Sequence, residues 1–233
     1  MAEKKIVSPK GDPGMLRPIA IGLWILGLIF EVLGICILLP QHVKLPAFVL
    51  SNQILWLCVA LAIDFVLVVI GSLLWKKANR IDPPSEKNQV EFFLKTQLGA
   101  IISVIAFLPI LIVLLTNKDL DKKSKTLATI LTVALLVLST LFGTEFNPIS
   151  LEDLQQMEVN AQESEFGVGT VQWSKNSKVY HTWTQCPALN RIKEENLREG
   201  VVKAAFEEGK ARMCYFCADH FNIVDGVEAR GSE

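Results

Sequence analysis

Residues 144–233 of this 233-residue chain lack a basic excess: they hold nine Lys and Arg against 15 Asp and Glu. Nucleic-acid binders neutralise phosphates with a basic face, so no nucleic-acid partner is expected. Signatures of common catalytic machinery are missing too. There is no Ser-His-Asp set, no phosphate-binding glycine loop and no His-Glu-x2-His pattern, and the chain is not expected to be an enzyme. A cleavable secretion signal is not expected either. Lys4, Lys5, Lys10 and Arg17 precede an apolar run too long for a signal core, with no small-residue cleavage site behind it.

What the sequence has in abundance is apolar residues, 51% of the chain, collected in four long runs before Gly143. A helix rises about 1.5 Å per residue and the hydrocarbon core is about 30 Å thick, so a span needs roughly 20 apolar residues. The runs at 19–39, 53–75, 98–116 and 126–142 approach this, the last extended by Lys125 snorkelling to the interface. Four in one short chain predict a mainly α, multi-pass membrane protein with the lipid bilayer as its first partner. Pro18 and Pro40 bracket the first run, and Trp24, Trp56 and Trp75 fall near run ends, where amphipathic rings favour the interface. Cytoplasmic loops are enriched in Lys and Arg. The amino terminus and the second loop (Lys76, Lys77, Arg80, Lys87, Lys95) outweigh Lys44 in the first loop, which predicts both termini in the cytoplasm. Lys118, Lys122, Lys123 and Lys125 in the third loop oppose that orientation.

Glu31 and Asp64 are the ionisable residues well inside the runs. A charge at such depth costs at least about 2.5 to 3.5 kcal/mol unless it finds water, a partner or a proton. In an antiparallel hairpin the two lie about 12 and 16 Å from the same face, which predicts an intramembrane carboxylate pair that holds at least one proton. One reading is a proton or cation path; the other is a pair of neutral acids bonded to Ser103, Thr129, Thr132, Ser139 or Thr140. Pro109 could break the third helix beside a cavity. Gly27 with Gly34, and Gly99 with Ser103, offer packing faces within one bundle or between copies.

Beyond Phe142 the sequence turns polar. Asn147-Pro148 breaks the chain, Ser150 reads as a helix N-cap with Asp153 three positions on, and a short helix reaching about Glu163 leads to a joint at Gly167 and Gly169. Residues 171–173 and 179–181 read as a hairpin around a four-residue turn, and 200–208 as a helix stopped by Gly209. About fifty residues bury too little apolar surface to fold comfortably alone, so a metal clip would help. The pattern His181-x4-Cys186, 27 intervening residues, then Cys214-x2-Cys217 supplies two ligand pairs for one tetrahedral zinc. Free buried thiols are the alternative, and His220 is a spare ligand. Cys36 and Cys58 lie inside apolar runs.

Tyr180-His181, Cys186-Pro187-Ala188, Glu195-Asn196-Leu197, Ala204-Ala205, Gly209 and Cys214-x2-Cys217 resemble the zinc-binding module at the amino end of the Ada alkylation-repair protein, in its wider group of His/Cys variants. The resemblance covers residues 179–217 and implies a closed zinc fold. In Ada the first of four cysteine ligands accepts a methyl group from DNA. Here that position is His181, and Tyr215 and Phe216 replace basic residues, which counts against methyl transfer and DNA contact. The expected organisation is a tail (1–17), a four-helix membrane region (18–143), an acidic linker with a short helix (144–168), a small α+β Ada-like zinc module (169–220) and a second tail (221–233). The expected function is a zinc module that mediates assembly, by self-association or by binding a protein partner. The alternative is a small ion or proton transporter using Glu31 and Asp64.

Overall fold

The computed structural model describes residues 5–9 and 13–223; Lys4, Lys10 and the tail from Val224 onward lie outside the described residues. Contacts divide the chain into two units. Among the described residues, one comprises 13–78 and 93–146, the other 5–9, 79–92 and 147–223.

The first unit is helical: α1 (Leu16–Leu38), a one-turn α2 (Ala47–Ser51), α3 (Gln53–Ile81), α4 (Gln89–Thr116) and α5 (Lys122–Gly143). Four of these are long and apolar enough to cross a membrane. The shortest, α5, has 22 residues and measures about 33 Å. Leu57, Leu61, Val68, Phe107, Ile110 and Leu114 fill the interior, while Ile29, Ile112, Ile130 and Leu141 stay half-exposed or more on the outside. Large apolar side chains therefore face both inward and outward.

Polar side chains close the helix ends. Asn117 donates from Nδ2 to the Leu38 carbonyl at 2.9 Å, and Lys125 donates to the Leu115 and Asn117 carbonyls at 2.8 and 2.7 Å. Each supplies a partner to carbonyls that a helix terminus leaves without one. Asp121 accepts from the Ser124 amide and caps α5.

Two expectations for this unit need correction. Trp24 is buried inside the bundle, with its ring 5.5 Å from that of Trp75 and its Nε1 donating to the Val68 carbonyl at 3.3 Å. It lies eight residues into α1, two turns from the helix end, and Gly71 on α3 leaves room for its ring. Pro109 does not break α4, which continues on both sides of it. The small residues serve packing within the bundle. A Cβ on Gly27 would meet Asp64 and Val68, one on Gly34 would meet Ile110, and α4 and α5 cross where Gly99 abuts Gly143.

The second unit is built on a five-stranded sheet of order β1-β4-β2-β3-β5, with β1 (Lys5–Val7), β2 (Thr170–Ser174), β3 (Val179–His181), β4 (Leu197–Val201) and β5 (Arg212–Met213). The expected hairpin is present, with Trp173 opposite Tyr180. Three segments are added to it. β1 pairs in parallel with β4, so part of the amino-terminal tail is a strand. Helix α6 (Leu151–Asn160) carries the expected Ser150–Asp153 capping box and places Met157 in the core beside Trp173, Tyr180 and Phe206. Residues 79–92 join through the Leu151 amide, which donates to the Pro84 carbonyl at 3.1 Å. Gly200 and Val201, expected in a helix, belong to β4, and the helix that follows is α7 (Val202–Glu207). The carbonyl of Val7 lies where a Cβ on Gly200 would sit, so this strand position has a backbone partner that local helix propensity cannot anticipate.

Candidate metal centre

The parallel pairing of β3 with β5 sets Tyr180 opposite Met213. The next residue of each strand, His181 and Cys214, therefore leaves the sheet edge beside its neighbour, joined by the Cys214 amide donating to the Tyr180 carbonyl at 2.9 Å. After β3 the chain turns back so that the Cys186 amide donates to the Trp183 carbonyl. After β5, α8 (Tyr215–Phe221) begins at Cys214, and its first turn brings Cys217 to the same point. Two tight turns thus each deliver two ligands, because the sheet sets their starting points side by side.

The four side chains His181, Cys186, Cys214 and Cys217 are all buried, and their ligand atoms lie within 4.8 Å of one another. Cys186 Sγ is 3.9 Å from Cys214 Sγ and 3.4 Å from His181 Nδ1, and Cys217 Sγ is 3.8 Å from the same nitrogen. A disulfide needs sulfurs about 2.05 Å apart, so Cys186 and Cys214 are not so joined. Metal–sulfur bonds of about 2.3 Å and metal–nitrogen bonds of about 2.0 to 2.1 Å in a tetrahedron give edges of about 3.8 and 3.6 Å. The observed separations match those edges, and the cluster could hold a metal ion.

Backbone amides complete the surroundings. Leu189, Phe216 and Thr182 hydrogen-bond to the sulfurs of Cys186, Cys214 and Cys217 respectively. Each such bond favours thiolate, the form that binds metals. Hydrogen bonds from Cys214 and Cys217 hold the Cys186 thiol well below its usual range, while the same bond to Cys186 pushes Cys214 up to about 11. These amides belong to turns and carry no side-chain signature, so the sequence gives no notice of them.

His220 is not in the cluster. Its ring stacks on Trp183 at 4.2 Å, and its Nε2 lies 3.7 Å from the Glu165 carboxylate. Glu165 also accepts from the Thr184 hydroxyl and amide, which hold its carboxyl below the usual range and fasten the joint after α6 to the turn between His181 and Cys186.

In the helical unit, Glu31 and Asp64 are brought close enough for one charge to act on the other. Glu31 takes a backbone hydrogen bond from Ile110, but its Oε1 and both oxygens of Asp64 have no partner and almost no exposed surface. The hydroxyls expected to serve them turn elsewhere. Ser103, Thr132 and Ser139 donate to the Gly99, Ala128 and Leu136 carbonyls of their own helices. A hydroxyl in a helix has an acceptor one turn back at no cost in side-chain reach, and that local bond wins. Comparison of the chain with known protein families, curated proteins and solved structures gives no match.

Proposed function

We propose that this is an integral membrane protein with four transmembrane helices and a structural zinc module that mediates assembly or binds a protein partner, without catalysis of its own. The buried Cys3His cluster carries the zinc reading, because its soft thiolates, its imidazole and its edge lengths suit a tetrahedral zinc shell. Four protein ligands leave no open position for a water nucleophile, which favours a structural role. The resemblance of residues 179–217 to the Ada module agrees with a closed shell of this kind.

Membrane insertion is supported by the outward face of the helical unit. Half-exposed Ile29, Ile112, Ile130 and Leu141 would be costly in water and at ease in lipid. The sealed oxygens of Glu31 and Asp64 favour a structural pair over a transport path, since a conducting site needs access to water. Elemental analysis of the full chain purified in detergent tests the zinc reading. One equivalent of zinc is expected per chain. Less than about half an equivalent after metal-replete preparation, with the second unit still folded, overturns it.

A further inference from the structure

Residues 144–233 are acidic as a whole, yet one concavity of the second unit has the opposite character. A cavity of about 510 Å³ opens beside β3, and none of the described residues that line it is acidic. Lys178, Arg191 and Arg212 stand around it, and Val179, Ala188 and Ile192 supply an apolar lining. These residues are scattered through the sequence and are assembled by the sheet: Val179 is opposite Arg212 in the β3–β5 pairing. Arg191 and Ile192 follow Cys186 by five and six residues, at the end of the first metal-binding turn.

The walls are fastened before any ligand arrives. Lys210 donates to the Lys175 and Ser177 carbonyls, which pins the turn that carries Lys178. The other wall is tied through Cys186 to the metal cluster. A volume in the range of about 300 to 1,000 Å³, an apolar lining and a few convergent polar groups are the marks of a binding site.

We propose that this cleft binds a short acidic peptide segment of a partner protein, with carboxylates on Lys178 and Arg191 and an aliphatic side chain on Val179 and Ile192. This deepens the partner-binding reading above and rests on it. Charge range decides the ligand class. The Debye length is about 8 Å in physiological salt, so a few carboxylates within the cleft feel its own cations. A nucleic-acid strand would gain nothing from the apolar lining, and the acidic excess of residues 144–233 as a whole opposes it. A carboxylate peptide with aliphatic residues uses both features, and the acidic excess of residues 144–233 as a whole disfavours its binding elsewhere on them.

The test uses the full zinc-loaded chain in detergent and a capped, fluorescein-labelled hexapeptide of alternating glutamate and leucine, read by fluorescence anisotropy. Saturable binding is expected. It should weaken about tenfold or more with the glutamine counterpart of the peptide, and likewise with the exposed double variant Lys178→Glu with Arg191→Glu. Equal binding of the two peptides, or an unaffected double variant whose thermal midpoint matches the parent, overturns the site. So does a twelve-nucleotide single strand that binds more tightly than the peptide and shows the same dependence on Lys178 and Arg191. Zinc content is measured on the same samples. A full equivalent of zinc with no preference for glutamate removes the peptide site and leaves the structural zinc standing. Glutamate-selective binding by folded protein with under half an equivalent upholds the cleft and removes the zinc reading instead.

Discussion

Both oxygens of Asp64 are buried without a hydrogen-bond donor, and one oxygen of Glu31 shares that condition. Gly27 admits them: a Cβ at that position would stand 2.7 Å from Asp64 Oδ1, so the carboxyl of α3 occupies the space where α1 has no side chain. Two bare carboxylates in that space would repel each other, and among the described residues these oxygens have no hydrogen-bond partner. Neutral amides of the same shape lose no ionic contact that the structure contains. Glu31→Gln with Asp64→Asn is therefore expected to leave a monodisperse, folded protein, with stability changed by no more than about 1 kcal/mol. Thermal unfolding in detergent checks this. A fall of several kcal/mol would show that the acids act as ions with partners that amides cannot replace. Reconstituted liposomes give a second readout. Proton or cation flux present in the parent and lost in a folded double variant would move transport to this pair.

Helix α5 ends where its backbone touches that of α4. A Cβ added at Gly143 would lie 2.5 Å from the Gly99 carbonyl carbon and 2.6 Å from the Ala100 amide nitrogen, and neither can swing aside as a side chain could. In lipid such close approach replaces the hydrophobic effect as the cement between helices. Gly143→Ala should separate the pair and destabilise the helical unit by about 1 to 3 kcal/mol. Gly22→Ala, whose Cβ would meet nothing within 4 Å, should be neutral or stabilising by up to about 1 kcal/mol. Thermal midpoints of the two variants in one detergent make the comparison, and equal midpoints would refute the crossing. The sequence makes the four helices and the four residues of the His/Cys cluster legible, because apolar length and ligand spacing are local signals. Helix ends are less so. The third run reads as 98–116, yet α4 starts at Gln89, since backbone hydrogen bonding continues through Glu91 and Lys95 after the apolar stretch stops. Strands β1 and β4 are hidden for a different reason. Three residues at the amino terminus find their partner nearly two hundred positions away, and no periodicity within either segment records that pairing. The added segments also qualify the argument for metal. With β1 and α6 packed on its core and residues 79–92 joined to it, the second unit is larger than the fifty residues that seemed to need a clip, so the case for zinc rests on ligand geometry.

The path of the whole chain constrains how it can thread a bilayer. Residues 5–9 precede the first long helix, 79–92 lie between the second and third, and 147–223 follow the fourth, yet all three belong to one compact unit. β1 is hydrogen-bonded to β4, and Glu152 of α6 accepts from the Ser85 hydroxyl and the Glu86 amide. Segments joined in this way must share one side of the membrane. An even number of crossings must therefore separate each from the next, and two long helices lie in each interval. For the membrane protein proposed above, the positive-inside rule predicts the cytoplasmic side, because the segment after α3 and the amino terminus are rich in Lys and Arg. The lysines around the start of α5 are the objection, and the structure reduces it. Lys125 is engaged with the last carbonyls of α4, where the helix dipole favours a cation on either side of a membrane. Cysteines introduced one at a time at Ser8, Lys87 and Lys44 in a Cys36→Ser, Cys58→Ser background, which keeps the buried Cys186, Cys214 and Cys217, test this topology in intact cells with an impermeant maleimide. Ser8→Cys and Lys87→Cys should stay unlabelled until the cells are permeabilised, whereas Lys44→Cys, in the loop between α1 and α2, should label at once. The inverse pattern would keep the pairing of segments and reverse the orientation. Labelling of Ser8→Cys together with protection of Lys87→Cys would place joined segments on opposite sides and refute the four-span reading itself.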